Sequence, residues 1–360
     1  MGQNHRVVII GVGAIATMHA KAIGDLDQVE LVGGCCRSRD KGEKFAADYD
    51  CQWFDDYEKA LDELKPDFVT ISTPSGAHLE PTLACAKRGI HVLCEKPLEI
   101  STERVDRMIA AAGEGGIRLG GIFPQRFNPV VCLLHDAARD GRFGDLAAVS
   151  TYVPWWRDDA YYAPDRWQGT IAMDGGGALM NQSIHGVDAI QWIASATMPD
   201  LGAACPVSEV FAYTAQRGHD EGAIEVEDIG VAVLRFRNGA MGQVLGATSM
   251  YPGSLKRLQI AGRDGTGEVL EDELITWAFR EARDEDDGVR KKFGEATRSG
   301  GGASDPMAID YTGHTRNIDA FLRWLDDDEP FMLDGTEARK AVAIIEAMYE
   351  SARTGRAVSL

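Results

Sequence analysis

Positive charge is scarce in this sequence, and the excess of acidic residues narrows the classes of partner. The 360 residues carry 37 Lys and Arg against 56 Asp and Glu, a formal net charge of −19. Nucleic acids and anionic membranes are bound through basic patches, and no long Lys/Arg cluster interrupts the acidic background. We therefore predict a protein that binds neither nucleic acid nor membrane.

Long apolar runs and paired cysteine motifs are also missing. A membrane span needs ~20 consecutive apolar residues, whereas the aliphatic run near the start covers only 7–10 and is too short for a signal-peptide core. The seven cysteines are odd in number and form no CxxC, which predicts thiols in a reducing compartment. We expect a cytoplasmic location.

Metal-binding motifs are absent as well. The eight histidines are scattered, and none forms HExxH or a Cys/His pair with zinc spacing. We predict no metal, and we interpret His219 with its acidic neighbours Asp220 and Glu221 as part of a solvated loop.

The first third of the chain alternates between aliphatic runs and segments of helical periodicity. Nearly continuous aliphatic runs are typical of parallel strands covered on both faces. Their alternation with helices predicts βαβ units in a doubly wound parallel sheet. The predicted strands are 6–11, 29–36, 68–73, 91–95 and 118–123, and the predicted helices are 14–24, 40–49, 56–64, 77–88 and 102–113.

The pattern changes near Pro124, where we place the boundary between a Rossmann domain, residues 1–124, and a second domain, residues 125–360. Longer strand-like runs in the second part predict an α+β domain with an open, mostly antiparallel sheet. The predicted strands are 146–156, 207–217, 229–237, 240–249 and 255–261, and the predicted helices are 129–140, 314–326 and 336–354.

Two local signals refine the second domain. Asn238-Gly239 lies between two strand-like runs, which is a strong signal for a β-hairpin. Residues 281–305 are charged and glycine-rich, and we interpret them as a long flexible insertion or lid.

A dinucleotide-binding fingerprint follows the first predicted strand. The sequence GVGAIA has the form G-x-G-x-x-A, in which Gly11 permits a tight turn and Gly13 lets the backbone approach a pyrophosphate. Ala14 and Ile15 begin a helix whose N-terminus attracts phosphate, and Ala16 is small enough for that helix to pack on the sheet. We predict dinucleotide binding; the alternative is a glycine turn without a ligand.

The second predicted strand ends without the acid that usually binds the ribose 2′-hydroxyl of NAD. No acid appears there before Asp40, whereas Arg37, Ser38 and Arg39 offer positive charge and a hydroxyl that suit a 2′-phosphate. We therefore predict NADP in preference to NAD. In the alternative, both arginines are ordinary solvated residues.

Candidate cofactor contacts also follow one other predicted strand. Thr73 and Pro74 end the strand at 68–73, at the carboxyl edge where open α/β sheets bind ligands. His78 lies one turn further on and is a candidate to approach the cofactor, or else a surface or capping histidine.

The order of three motifs carries a family resemblance. The fingerprint, T-P-x-x-x-H and Glu95-Lys96-Pro97 occur in turn at strand ends, followed by GGGALMNQSIHGVD and, near the C-terminus, GHTRNIDAFLRWL and YESARTGRAVSL. Together they resemble the Gfo/Idh/MocA family of sugar and polyol oxidoreductases over nearly the whole chain. The resemblance implies a Rossmann domain, an α+β domain with an open sheet, and a Lys96–Pro97 bond that is often cis. It also implies that these three residues lie at the cofactor.

The activity implied is hydride transfer between NAD(P) and a secondary alcohol or carbonyl of a sugar, cyclitol, amino sugar or sugar nucleotide. Two other functions stay open: a glycoside hydrolase that oxidises its substrate transiently with NAD, and a cofactor-binding regulator without chemistry. Because family members often pair through the sheet, we also predict a homodimer or homotetramer.

Alcohol oxidation needs a group that accepts the hydroxyl proton. His185 is the predicted base, and in a helix Asn181 would share its face. Many family members have Asp at the position of Asn181, and Asn cannot stabilise an imidazolium as a carboxylate does. Lys96 is therefore a second candidate for the proton or a cation that holds the substrate oxygen. Asp188 is a candidate to orient the ring, and Glu95 to pair with the lysine.

Further substrate contacts are predicted from residue type. Arg forks and aromatic faces suit sugar hydroxyls and C–H faces, which makes Arg126 and Trp167 candidates, and His314 begins a C-terminal helix near the place the family gives to substrate. Large aromatics also form cores and interfaces, so their assignment stays open. Three glycines, 175–177, are expected to let the backbone run close to a ligand, and Asp174 to contact a hydroxyl or cap that turn.

Overall fold

The computed structural model describes residues 4–220, 222–294 and 310–360. They divide into two compact units, Met1–Pro124 with Tyr311–Arg339 and Gln125–Asp310 with Lys340–Leu360. We had placed 311–339 in the second domain, but its helix packs on the first: Phe123 donates its backbone N–H to Asn317 at 3.0 Å, and Phe321 contacts Phe68. None of the described helices is long and apolar enough to cross a membrane.

Helices occur in both units and are numbered in chain order. They are α1 Ala14–Gly24, α2 Arg39–Tyr49, α3 Tyr57–Leu64, α4 Leu79–Ala86, α5 Thr102–Gly115, α6 Pro129–Arg139, α7 Ile171–Asp174, α8 Ile184–Ser195, α9 Glu285–Phe293, α10 Thr312–Asp327 and α11 Gly335–Thr354.

The first unit contains a six-stranded parallel sheet in the order β3-β2-β1-β4-β5-β6. The order reverses between β1 and β4, which is where doubly wound sheets bind their ligands. The Rossmann prediction is confirmed, although β3 was missed because it is only three residues long. The strands are β1 His5–Ile10, β2 Val29–Cys35, β3 Gln52–Phe54, β4 Phe68–Ile71, β5 His91–Glu95 and β6 Leu119–Ile122.

The second unit contains an eight-stranded sheet in the order β13-β12-β11-β7-β10-β9-β8-β14. Its neighbours are antiparallel except for β7 and β10, so the predicted mostly antiparallel sheet is confirmed. The turn at Asn238-Gly239 joins β9 to β10, as predicted, and Gly239 has φ +88°. The strands are β7 Leu146–Pro154, β8 Val207–Ala215, β9 Ile229–Phe236, β10 Met241–Ala247, β11 Arg257–Gly262, β12 Gly265–Leu270, β13 Glu273–Phe279 and β14 Val358–Ser359.

The segment interpreted as a flexible insertion is ordered in its first part. Helix α9 lies there, and Asp286 on it is buried and accepts hydrogen bonds from Arg142 at 2.6 Å and from the indole N–H of Trp277 at 2.8 Å. These charge-assisted bonds fix α9 on the sheet, which corrects the prediction for this part. Residues 295–309 lie outside the described residues.

Candidate active site

Three strands of the first unit converge on the fingerprint. Gly11 has φ +99°, donates to the carbonyl of Cys35 at 2.9 Å and accepts from the hydroxyl of Ser72 at 2.8 Å. A Cβ on Gly11 would lie 2.5 Å from the backbone nitrogen of Thr73. Only glycine fits this position, and the tight turn predicted from the sequence is present.

Gly13 differs from Gly11 in what surrounds it. It is the N-cap of α1, makes no side-chain cap, and a Cβ built on it would meet no atom within 4 Å. The space in front of the helix N-terminus is therefore open, while Ala16 is fully buried behind it. Open backbone N–H groups at a helix N-terminus fit the pyrophosphate of a dinucleotide.

The residues proposed to hold a 2′-phosphate follow β2 and are exposed. Arg39 pairs with Glu43 at 2.7 Å and lies over the ring of Trp53 at 5.9 Å. Arg37 and Ser38 are thus more accessible to a 2′-phosphate than Arg39 is.

His78 is not a surface histidine; it is the N-cap residue of α4, and its side chain makes no capping hydrogen bond to that helix. It is 1% exposed, with Nδ1 3.0 Å from the carbonyl oxygen of Pro97 and Nε2 3.0 Å from that of Thr73. The ring therefore contacts both the loop that follows β4 and the loop that follows β5. Pro74 directly precedes a short 3₁₀ turn, Ser75–Ala77, in the loop after β4. Any contact of His78 with a cofactor stays a prediction.

Glu95 is the last residue of β5 and Lys96 follows it. The Lys96–Pro97 peptide is cis, as the resemblance implied. Glu95 does not simply face the lysine. One carboxylate oxygen, Oε2, accepts the backbone N–H of Lys96 at 3.1 Å, and the other, Oε1, lies 2.9 Å from Nε2 of His19 and 3.5 Å from Nε2 of His314. His314, predicted to bind substrate, thus contacts Glu95 inside the first unit.

This cluster is buried, yet its carboxylate stays ionised. Burial alone raises the pKa of Glu95, but the hydrogen bonds from His19 and His314 outweigh it and hold the pKa well below its usual range. Burial lowers the pKa of His19. One signal for His19 was overlooked: it is a histidine among the small apolar residues of the buried face of α1.

In the second unit, Asn181 lies in a π-helical segment, Ala178–Ser183, directly before α8. The shared face of Asn181 and His185 was conditional on a helix, and the segment is π-helical; single π turns often mark functional sites. The amide of Asn181 donates to Asp174 at 2.6 Å and its oxygen accepts from Gln182 at 3.0 Å. Asp174 is 1% exposed. A carboxylate is therefore hydrogen-bonded directly to the amide of Asn181. His185 follows in the first turn of α8 and is half-buried.

The three glycines before this segment serve packing inside the second unit. Gly175 has φ +72° and ends α7. A Cβ on Gly176 would overlap the hydroxyl of Tyr349, and one on Gly177 would overlap the carbonyl oxygen of Glu227. These contacts account for the absence of side chains at Gly176 and Gly177, and the expected close approach of this backbone to a ligand stays a prediction.

A hydrogen-bonded network continues from Gln182. Arg157 donates to Gln182 at 2.9 Å, and Gln182 donates to the hydroxyl of Tyr161 at 3.0 Å. His219 lies 3.0 Å from both Asp228 and the carbonyl oxygen of Arg157. The side chain of His219 is 0% exposed, although Asp220 beside it is exposed, so the interpretation as a solvated loop was wrong for the His219 side chain itself.

Arg126 lies in a buried ion pair. Its Nε and Nη2 atoms donate to Asp188 at 2.7 and 2.6 Å, and the two side chains are 0% and 1% exposed. Asp188 is thus the counter-ion of Arg126, and its predicted role in orienting His185 stays a prediction. Trp167 is half-buried, and its carbonyl oxygen accepts from Thr170 at 2.7 Å. The substrate roles predicted for Arg126 and Trp167 remain predictions.

Fold and fingerprint together define a dinucleotide-binding oxidoreductase. Residues 5–121 match the family model "Oxidoreductase family, NAD-binding Rossmann fold", and residues 132–268 match the "GFO/IDH/MocA C-terminal domain". The chain belongs to the Gfo/Idh/MocA family of oxidoreductases.

Two solved structures and one curated relative that are similar to this chain are also dehydrogenases. WlbA dehydrogenase from Bordetella pertussis, in complex with NADH and UDP-GlcNAcA, is 32% identical with TM-score 0.88, covering 99% of this chain and 98% of that one. WlbA from Chromobacterium violaceum, with the same two ligands, is 29% identical with TM-score 0.86, covering 99% and 96%. Myo-inositol 2-dehydrogenase from Thermotoga maritima is 28% identical over 72% of this chain and 73% of its own length.

Proposed function

We propose that this chain is an NAD(H)-dependent dehydrogenase that oxidises a secondary hydroxyl on the sugar of a nucleotide-linked sugar acid. The observation that carries the proposal is the likeness, over nearly both whole chains, to two dehydrogenases bound to NADH and UDP-GlcNAcA. The open N-terminus of α1 at Gly13 and the position of Lys96 directly after β5 support it within this chain.

The bound nicotinamide supplies the hydride acceptor. In the proposed reaction His185 accepts the proton of the substrate hydroxyl, and the ammonium of Lys96 stabilises the negative charge that develops on the same oxygen. Lys96→Ala and His185→Ala are each expected to lower kcat by at least ~10²-fold and to leave the dissociation constant of NADH within a few-fold. Near-normal turnover in either variant would remove that residue from the mechanism.

A substrate panel tests the proposed substrate. UDP-GlcNAcA, UDP-GlcNAc, which lacks the carboxylate, and myo-inositol are compared by the absorbance of the reduced nicotinamide. We expect UDP-GlcNAcA to have the highest kcat/KM, by at least about a hundredfold, because an unfilled polar subsite is costly. A higher value for myo-inositol would reject the sugar acid and indicate a cyclitol dehydrogenase, and product formation without net reduction would indicate a hydrolase.

The choice of NAD(H) departs from the preference for NADP drawn from the residues after β2. It rests on the NADH complexes of the two similar dehydrogenases and on Arg39, which is already paired with Glu43. Arg37 is the remaining exposed arginine of that segment. Titration of the protein with NADH and NADPH decides between the two predictions, and Arg37→Asp is expected to weaken NADPH binding about tenfold while leaving NADH nearly unchanged, as loss of one charge-assisted contact requires.

The second unit carries a surface suited to a second copy of the chain. Tyr213, Val231, Val233 and Met241 are 68%, 38%, 56% and 67% exposed, and they lie on one face of neighbouring strands, where Val231 pairs with Tyr213. Contiguous apolar residues on a sheet face mark interaction sites. We propose a homo-oligomer through this face. Sedimentation of a 39.1 kDa species at micromolar concentration would reject it.

A cytoplasmic location is proposed from the cysteines. All seven are free thiols, and burial raises the pKa of Cys35 and Cys85 to about 12. Protonated, buried thiols suit a reducing compartment. Fractionation of cells that express the tagged chain tests this location.

A further inference from the structure

The two oxygens of the Glu95 carboxylate hold different groups. Oε2 accepts the backbone N–H of Lys96 at 3.1 Å. Oε1 faces two imidazole rings, His19 from α1 at 2.9 Å and His314 from α10 at 3.5 Å. The residue thus links the backbone of the lysine to two helices.

The surroundings of Glu95 leave its side chain little freedom. It is 6% exposed, and His19 and His314 are 0% and 4% exposed. His19 is itself fixed, since its Nδ1 lies 3.1 Å from the hydroxyl of Thr70 on β4. Hydrogen bonds to a charged group in a dry site are strong, so the carboxylate is held in one orientation.

The chain on the other side of Lys96 is fixed as well. His78 contacts the carbonyl oxygens of Pro97 at 3.0 Å and Leu98 at 3.2 Å. Lys96 therefore lies between two anchored points, its own N–H and the carbonyl of the next residue. The direction in which its long side chain leaves the backbone depends on both.

We propose that Glu95 is a positioning residue for Lys96, with His19 and His314 as the donors that hold its carboxylate in place. The inference rests on the proposed role of Lys96 at the substrate oxygen. Residues that orient the ligands of a metal typically change activity by about 10- to 100-fold when removed. We expect an effect of similar size here, because small misplacements of a catalytic group are costly.

Four variants of the 360-residue chain test the proposal. Glu95→Gln keeps the volume and removes the charge; His314→Phe removes a donor, and His314→Gln restores an N–H of similar reach. His5→Gln is the matched control, because His5 is also buried in the first unit and also contacts a carboxylate, that of Asp326 at 2.8 Å.

We expect Glu95→Gln and His314→Phe to lower kcat by ~10- to 100-fold while the KM of the sugar nucleotide and the dissociation constant of NADH change little. His314→Gln should recover most of the rate, and His5→Gln should leave it unchanged. Equal losses in Glu95→Gln and His5→Gln would mean that buried histidine–carboxylate pairs matter only for folding, and would overturn the proposal.

A double variant separates positioning from general damage. If Glu95 acts through Lys96, adding Glu95→Gln to Lys96→Ala produces no further fall in kcat, whereas independent effects multiply. If Lys96→Ala is slow but Glu95→Gln is normal, only the positioning role fails. If Lys96→Ala turns over normally, the proposed function of the lysine fails and the inference fails with it.

The same three side chains have the residue types of a metal site, since their ligand atoms lie within 4.8 Å of one another. The 2.9 Å separation of His19 and Glu95 is the length of a charge-assisted hydrogen bond, which favours a proton between them. Activity that is lost on chelation and restored by Zn²⁺ would overturn the positioning proposal, and activity that withstands a chelator supports it.

Discussion

Replacing Asp188 by Asn distinguishes a structural role of Arg126 from the substrate contact predicted for it. The two side chains form a bidentate pair at 2.7 and 2.6 Å, and both are buried. The guanidinium also lies 5.2 Å from the ring centroid of Trp192. Asn keeps the shape of the side chain but removes the charge that compensates the guanidinium.

The expected size follows from the burial. Removing one member of a fully buried ion pair costs about 3–5 kcal/mol because the other charge is left uncompensated, whereas apolar replacement of both is close to neutral or stabilising. Asp188→Asn should therefore lower the free energy of unfolding of the second unit by about 3–5 kcal/mol. The double variant Arg126→Met/Asp188→Leu should regain most of this loss.

Urea unfolding followed by tryptophan fluorescence measures both variants, since Trp192 reports on the second unit. The KM of the substrate is measured on the protein that remains folded. If Arg126→Met has normal stability and a KM raised tenfold or more, the guanidinium binds substrate and the structural reasoning is wrong.

Two further predictions concern acid stability and glycine packing. Burial lowers the pKa of His19 from 6.5 in the folded protein, so the unfolded chain binds an extra proton as the pH falls through 6.5, and stability falls with it by up to about 1.4 kcal/mol per pH unit. Glu95, whose pKa is held below 4.5, adds a second loss of stability below that pH. The free energy of unfolding is measured between pH 7 and 4, and between pH 6.5 and 5 it should fall less steeply in His19→Gln than in the unmodified protein. An unchanged slope would contradict the assignment of this loss to His19. In thermal melts, Gly176→Ala should destabilise the protein by about 1–3 kcal/mol because its Cβ overlaps the hydroxyl of Tyr349. Gly113→Ala on the exposed face of α5, where a Cβ meets nothing, is the control and should be neutral or stabilising.

Local patterns were enough to predict the Rossmann sheet and the fingerprint. Aliphatic runs, small residues at Gly11 and Gly13, and the hairpin at Asn238-Gly239 each depend on neighbours in sequence. The strands that were missed, such as Gln52–Phe54 and Gly265–Leu270, are short and interrupted by polar residues or glycine. Their pairing comes from the adjacent strand and not from their own pattern.

The side-chain partners within the site could not be predicted in the same way. His19, Glu95 and His314 are separated by 76 and 219 positions (95 − 19; 314 − 95), and nothing in the local sequence of one indicates the others. The same holds for His219, which was assigned to a solvated loop and in fact contacts Asp228 from a buried position. Polar contacts across elements depend on tertiary packing, and an alternating or helical pattern does not encode them.

The departure at Asn181 from the Asp common in the family acquires a physical reason from Asp174. The amide of Asn181 donates to this carboxylate at 2.6 Å, and Asp174 also accepts the backbone N–H of Gly169 at 2.9 Å. Asp at position 181 would bring two carboxylates into contact in a buried site, where both cannot stay ionised. Restoring the residue that is common in the family should therefore harm this protein.

Asn181→Asp is expected to lower the melting temperature at pH 8 and to recover part of it at lower pH, where one of the two carboxyls takes up a proton. The exchanged variant Asp174→Asn/Asn181→Asp is the matched control, because it again contains one carboxylate and one amide at the same two positions. It should be more stable at pH 8 than Asn181→Asp alone. If the single variant is as stable and as active at pH 8 as the unmodified protein, Asp174 is not the charge that excludes Asp at 181. If the exchanged variant also has a higher kcat than the unmodified protein, a carboxylate at position 181, nearer to His185, serves catalysis better than one at position 174. The amide of Asn181 then only links the carboxylate of Asp174 to the site.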